Sequence, residues 1–176
     1  YDEKHVVVGG IGIIEDKTKE HNALNELEFL ALHDPLTSLF NRRGFGDYME
    51  RLISGDQHKR DYSLLFYLDL NQFKGINDSL GHSVGDEILI HVAERLVYAF
   101  GNDCEISRLG GDEFIIVAPY VSEEEDIAKS IARQYGEQIK DIFTDPFIIK
   151  ELHLYVSSSI GIIIINPNYT NIEEII

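Results

Sequence analysis

Asp112 and Glu113 stand side by side behind two glycines, in the run Arg108-Leu109-Gly110-Gly111-Asp112-Glu113-Phe114. Short apolar stretches flank this run, so it reads as the tip of a β-hairpin. Gly110 and Gly111 tolerate the positive φ angles of tight turns, and adjacent carboxylates at an exposed tip suit a hard divalent cation bound through oxygen. Taken alone, the string is most simply a hairpin with solvated acids at its exit, since turns favour such residues anyway.

A third acid changes that balance. Tyr62 to Leu70 reads Tyr-Ser-Leu-Leu-Phe-Tyr-Leu-Asp-Leu, a near-continuous apolar run suited to a central strand buried on both faces, with Asp69 at its mouth. Phe73-Lys74, Asn77-Asp78, Gly81-His82 and Gly85-Asp86 follow, placing one cation and several polar groups near a strand end, where ligands of α/β sheets gather. Neighbouring carboxylates repel unless a cation lies between them; Mg²⁺, or Mn²⁺ in its place, suits oxygen-only ligands and a phosphate substrate. Two such ions about 3.5–4 Å apart would clamp a phosphoryl transfer. Guanine presents donors at N1 and its exocyclic amine, a pair that one carboxylate accepts, and Asp86 fits that task. The competing reading is structural: Ser83-x-x-Asp86 resembles a helix start, where acids complement the dipole. His82 by itself reads as a loop histidine.

The elements that must position these groups follow from periodicity. Helices are expected over Asn41–Ser54, Phe73–Leu80, Val84–Phe100 and Glu123–Phe143. Strands are expected over Tyr62–Leu70, Cys104–Leu109 and Glu113–Pro119, in a small hairpin of Phe147–Lys150 with Leu152–Leu154, and in a last strand through Ile165. Ser122-x-x-Glu125 reads as a capping box, which makes the acidic run Glu123 to Asp126 an ordinary first helical turn. Arg42-Arg43 is read as part of a helix start that packs the connecting segment against the domain. The order β-α-α-β-β-α-β defines an α+β, ferredoxin-like or palm-type fold with an antiparallel sheet, in which Asp69 meets the Asp112/Glu113 pair at one edge.

Several of these motifs together resemble the GGDEF domain of diguanylate cyclases: Asp34-Pro35-Leu36-Thr37-Ser38-Leu39-Phe40-Asn41-Arg42-Arg43, Leu68-Asp69-Leu70-Asn71-Gln72-Phe73-Lys74, Ile76-Asn77-Asp78, Gly81-His82, Gly85-Asp86 and Gly110 to Phe114. The resemblance covers Asp34 to Ile165, with the motifs in register. It implies that two GTP condense to cyclic di-GMP and two pyrophosphates in a homodimer of half-sites. It also implies roles: Asp69, Asp112 and the Leu70 carbonyl as metal ligands, Glu113 as a further metal-site and catalytic candidate, and Asp112 as the base for a ribose 3′-hydroxyl. Asn77, His82 and Asp86 would line the guanine pocket, Lys74 and the backbone near Phe73 would meet the β and γ phosphates, and Gly110 and Gly111 would border the substrate. The family's basic pair comes from a C-terminal helix that would only begin near Ile176, so those contacts are expected beyond that residue.

This chain departs from the family pattern in three places. Asn71 stands where a second acid is common, removing a charge expected near the metals. Ser38 stands where glycine is common. Gly101-Asn102-Asp103-Cys104 replaces the Arg-x-x-Asp of the product-inhibition site, so feedback there is not expected. Two rival functions remain at this stage: a catalytically silent GTP-binding module that regulates an attached phosphodiesterase or partner, and another palm-type nucleotidyl transferase. The acidic surface argues against a polymerase and Asp86 against an adenine nucleotide.

Composition sets the outer bounds. With 15 Lys and Arg against 31 Asp and Glu in 176 residues, the net charge is −16, which excludes a nucleic-acid polymer as the expected partner. One cysteine, Cys104, excludes an internal disulfide, fits a reducing compartment and reads as a buried small residue. The apolar run Val6 to Ile14 is too short to cross a bilayer, so a cytoplasmic chain without membrane contact is expected. That run and Glu15 to Glu20 resemble the last strand and exit of a PAS sensor domain (1–16). Leu24, Leu27 and Ala31 mark an amphipathic connecting helix (17–33) that either pairs in a dimer or stays solvated, and 34–176 form the catalytic domain. The Thr170-x-x-Glu173 signature at the end suggests a helix start and a longer parent protein.

Overall fold

The computed structural model describes residues 29–55, 60–172 and 175. The elements run α1 (Arg42–Ser54), β1 (Tyr62–Leu70), α2 (Phe73–Leu80), α3 (His82–Phe100), β2 (Glu105–Gly110), β3 (Glu113–Ser122), α4 (Glu125–Ile142), β4 (Phe147–Ile149), β5 (Leu152–Leu154) and β6 (Ser158–Ile165). Four strands form one antiparallel sheet in the order β2-β3-β1-β6, and β4 pairs with β5 in a separate hairpin. The α+β arrangement expected from the element order is the one observed. The PAS-like strand, most of the connecting helix and Glu173 lie outside the described residues. Residues 29–32 are helical and lead into the domain.

Alternation along β1 sorts its side chains onto two cores. Leu64, Phe66, Leu68 and Leu70 pack with Val84, Ile88, Val92 and Leu96 of α3 and Ala128, Ala132 and Ile139 of α4. Leu65 turns to the other face, where Phe45, Met49 and Leu52 of α1 cover it together with Ile115 and Val117. The apolar run is therefore a strand covered on both sides, as expected. Asp69 continues the parity of Leu65 and Tyr67, so the fold delivers it to the α1 face at the strand's end.

Several boundaries differ from the sequence reading, each for a local reason. α3 starts at His82 rather than Val84, because Gly81 at φ +88 turns the chain directly from α2 into the new helix. β3 continues through Pro119 to Ser122. An irregularity in its pairing with β1 accommodates the proline, and Tyr120, at φ +52, donates its backbone N–H to Ser63 Oγ at 2.9 Å. α4 starts at Glu125, and the Ser122 box does not form: the Ser122 hydroxyl accepts from Glu124 N–H at 2.9 Å, a turn ahead of the helix, while Glu124 occupies the cap. Asn41 is the N-cap of α1, accepting from Arg43 N–H and Gly44 N–H. Its Nδ2 donates back to the Ala31 and His33 carbonyls at 3.2 Å each. Asn41, more than the arginines after it, fastens the entering segment. A Cβ on Gly44 would lie 2.3 Å from the Leu32 carbonyl oxygen, so this close approach requires glycine.

Among the described residues, no helix is long and apolar enough to cross a membrane. Cys104 is half-buried, and burial together with the charge of Asp103 pushes its thiol up to about 12, leaving an unreactive packing residue.

Candidate active site

The hairpin turn is built as its glycines demand. Gly110 lies at φ +141 and Gly111 at φ +53, conformations that an L side chain resists, and the β2–β3 register slips between Arg108 and Gly110 so that Gly110 faces Glu113. Asp69 pairs across the sheet with Glu113, which puts their side chains on one face. The backbone N–H of Leu70 donates to the Asp112 carbonyl at 3.3 Å, closing the turn onto the end of β1. The three acids thus come together at one sheet end. Burial first, then the charges of Asp112 and Glu113, raise the Asp69 carboxyl above its ordinary value.

Glu113 has partners of its own. It lies 3.6 Å from an Arg42 guanidinium nitrogen, an exposed pair of small worth. Tyr67, on the same face of β1, donates its phenol to Glu113. Burial, that bond and the charges of Glu113 and Asp69 push the phenol up to about 12, so it remains a donor.

The turn is braced from behind by residues for which sequence reasoning assigned no role. Arg108 donates from Nε at 3.1 Å and from Nη2 at 2.7 Å to the Gly111 carbonyl. Its Nη1 reaches both Asp34 oxygens at 2.9 and 3.0 Å. Asp34 also accepts from Thr37 N–H and Thr37 Oγ1 at 2.9 and 2.7 Å. Arg108 and Asp34 side chains are only 11% and 16% exposed, so this network is largely shielded from water. Burial alone would raise the Asp34 pKa; the bonds from Thr37 and Arg108 outweigh it and hold the carboxyl below its usual range. An arginine immediately ahead of a double-glycine turn was the available signal. Ser38, inside the same loop, adopts φ +62, which explains why a glycine suits this position.

The second group of expected residues lies along α2 and the start of α3. α2 begins after Gln72, which sits at φ +58 and offers no side-chain cap, so the first N–H groups of the helix, those of Phe73 and Lys74, point outward without intrahelical acceptors. Phe73 itself is buried, Lys74 is exposed, and Asn77 sits on the Lys74 face three residues on. Asn77 and Lys74 are about 4.5 Å apart along the helix axis. The Asn77 side chain packs against Gly85 so tightly that a Cβ there would lie 2.0 Å from its Oδ1, and that buried Oδ1 has no hydrogen-bond partner. His82 and Asp86 are exposed on α3. The helix-start reading of Asp86 fails: Gly81 is the cap, Ser83 is inside the helix, and the first turn holds no acid. Asp86 thus has no capping duty.

Asn71 lies close to Asp69, because it bonds Ser159, the cross-strand partner of Asp69. Its amide is engaged with Ser157, just ahead of β6, and with Ser159 of that strand.

Among the described residues, no group of three or more His, Cys, Asp or Glu side chains converges tightly enough to hold an ion alone. The arrangement fits a cation that takes one or two carboxylates and completes its shell with carbonyl, water and phosphate oxygens, the habit of Mg²⁺. The charges of Asp112 and Glu113 add to burial in raising the Asp69 carboxyl, and such an ion would offset them.

Residues 31–176 match the family model described as diguanylate cyclase, GGDEF domain. The chain belongs to the GGDEF family. It is 38% identical over 152 residues to the signaling protein YkoW of Bacillus subtilis, which covers 86% of this chain and 18% of that protein. It is 31% identical over 169 residues to the probable diguanylate cyclase DgcE of Escherichia coli, covering 96% of this chain and 15% of that one. The chain thus spans less than a fifth of either relative. A solved sensory box/GGDEF family protein from Caulobacter crescentus shares the fold with a TM-score of 0.72 at 27% identity, over 81% of this chain and 88% of that one. Within this GGDEF domain, the string that names the family is the turn that carries Asp112 and Glu113 to Asp69.

Proposed function

We propose that this GGDEF domain is one half-site of a diguanylate cyclase, condensing two GTP into cyclic di-GMP and two pyrophosphates. The observation that carries the reading is the convergence of Asp69 with Asp112 and Glu113 at the sheet end beside the uncapped start of α2. Asp69, Asp112 and the Leu70 carbonyl would hold Mg²⁺, with Glu113 as a further ligand oriented by Tyr67. Bound there, the ion would neutralise the phosphates and lower the pKa of the attacking hydroxyl.

The chain's own residues supply the rest. The N–H groups at Phe73 and Lys74, and the Lys74 ammonium, meet the β and γ phosphates, as anions are met at helix starts. Gly110 and Gly111 leave room for the nucleotide beside the turn. Asp86 accepts from guanine N1 and its amine, Asn77 completes the base edge, and His82 borders it. Asp112 takes the proton from the 3′-hydroxyl of one GTP as that oxygen bonds to the α-phosphorus of the other, and pyrophosphate departs. A second, symmetric transfer closes the ring.

One subunit presents one nucleotide, so a facing copy must supply the other reactant and dimerisation aligns them. Incubating the protein with GTP and Mg²⁺ across a range of protein concentrations should yield cyclic di-GMP with a rate that rises faster than linearly. GTP bound but never converted, at any concentration, would show instead a silent binding module.

A further inference from the structure

The turn between β1 and α2 carries the Leu70 carbonyl at one end and the Phe73 and Lys74 N–H groups at the other, yet its own backbone is strained. Gln72 holds φ +58, a left-handed conformation that a non-glycine residue resists. Such a conformation persists only where surroundings dictate it. Gln72 makes no capping bond with its side chain. Beside it, Asn71 is gripped at three points by Ser157, just ahead of β6, and by Ser159 within it. Asn71 N–H donates to the Ser157 carbonyl at 2.8 Å. Its Nδ2 donates to Ser157 Oγ at 3.0 Å, and its Oδ1 accepts from Ser159 Oγ at 2.8 Å. Ser159 is in turn the cross-strand partner of Asp69, and Ser158 that of Leu70.

We propose that Asn71 is a positioning residue of the cyclase site: it clasps the β1–α2 turn to β6 and so presets the carbonyl and amide groups that receive the metal and the phosphates. This rests on the cyclase reading for the ligand, while the clasp itself is a matter of backbone geometry. Asn71 is not a lost metal ligand, because both ends of its amide are committed to the serines. The two hydroxyls can also both donate, so a carboxylate at 71 can be held in the same place. An aspartate would therefore keep the clasp and add a charge, whereas alanine would release it.

Two measurements test the proposal. In steady-state kinetics with GTP and Mg²⁺, Asn71→Ala raises KM about tenfold with kcat changed less than about threefold. Asn71→Asp stays within about threefold of wild type in KM, and the double variant Ser157→Ala/Ser159→Ala reproduces Asn71→Ala. In nucleotide-free protein, hydrogen exchange at residues 72–76 quickens about tenfold in Asn71→Ala while the core of β1 keeps its protection. Unchanged exchange in that segment overturns the clasp whatever the substrate. Faster exchange with KM unchanged overturns its role toward the nucleotide. A wild-type protein that shows no affinity for GTP, with the exchange effect intact, defeats the cyclase reading and leaves the clasp standing.

Discussion

The two ends of the candidate site are held in opposite ways. At the hairpin end, Arg108 ties the Gly111 carbonyl to Asp34, Thr37 completes that carboxylate, and Leu70 N–H closes onto the Asp112 carbonyl. At the α2–α3 elbow, His82 and Asp86 are exposed and Asn77 keeps a buried Oδ1 with no partner. The carboxylates that repel one another are anchored from behind, where the rigidity costs nothing in access. The groups proposed to read a base are two exposed side chains and one packed against Gly85. Chemistry needs placement before the substrate arrives, whereas selectivity gains when a buried polar atom is satisfied only by the correct ligand.

The largest expected effect tests the charged end directly. Asp112→Asn should lower kcat by about a thousandfold or more, since it removes the side chain proposed as both metal ligand and base. The same change should raise the melting temperature measured without divalent cations, because it removes one of the two neighbouring charges that, after burial, raise the Asp69 carboxyl. A variant that loses activity and stability together would contradict the picture of stored repulsion.

Arg108→Ala should cost about 3 kcal/mol of stability in urea titrations, because it leaves the shielded Asp34 carboxylate without its cation. Arg108→Lys should recover little of this, since a lysine cannot serve two Asp34 oxygens and the Gly111 carbonyl at once. The loss depends on pH with a definite sign. The folded pKa of Asp34 lies below its unfolded value of 3.8, so the pair's contribution is complete above that pH and fades as pH falls through the depressed value. The gap between wild type and Arg108→Ala should therefore close on acidification below pH 3.8. A gap that stayed constant would assign the loss to packing.

At the looser end, Gly85→Ala should push Asn77 aside, because the new methyl falls 2.0 Å from its Oδ1. We expect a stability cost of about 1–2 kcal/mol and a KM for GTP raised about tenfold, with kcat little altered. Equal losses in kcat and KM would show that the elbow is coupled to the hairpin. The smallest effect is a gain: Ser38→Gly should stabilise the protein by about 1 kcal/mol in thermal unfolding, since φ +62 suits glycine.

Much of the fold was legible because it rests on local pattern. The Tyr62–Leu70 run, the double-glycine turn and the Asn41 cap each carry their signal within a few residues. What stayed hidden depends on distance or on rare backbone. Arg108 and Asp34 are 74 residues apart, and no spacing rule joins them. Asp86 looked like half of a capping box because that rule compares only positions three apart; Gly81 had already capped the helix. Asn71 is placed by its motif near Asp69, and only the folded chain shows both ends of its amide bonded to Ser157 and Ser159.

The route by which the chain enters has a mechanical consequence. Residues 31–33 are bonded to Asn41, the Phe40 carbonyl accepts from Arg108 N–H at 2.8 Å, and the Arg108 side chain ends on the Gly111 carbonyl. No slack joint interrupts that linkage. A twist applied at the entering helix would be delivered to the acidic tip with little backlash, as through a short crank.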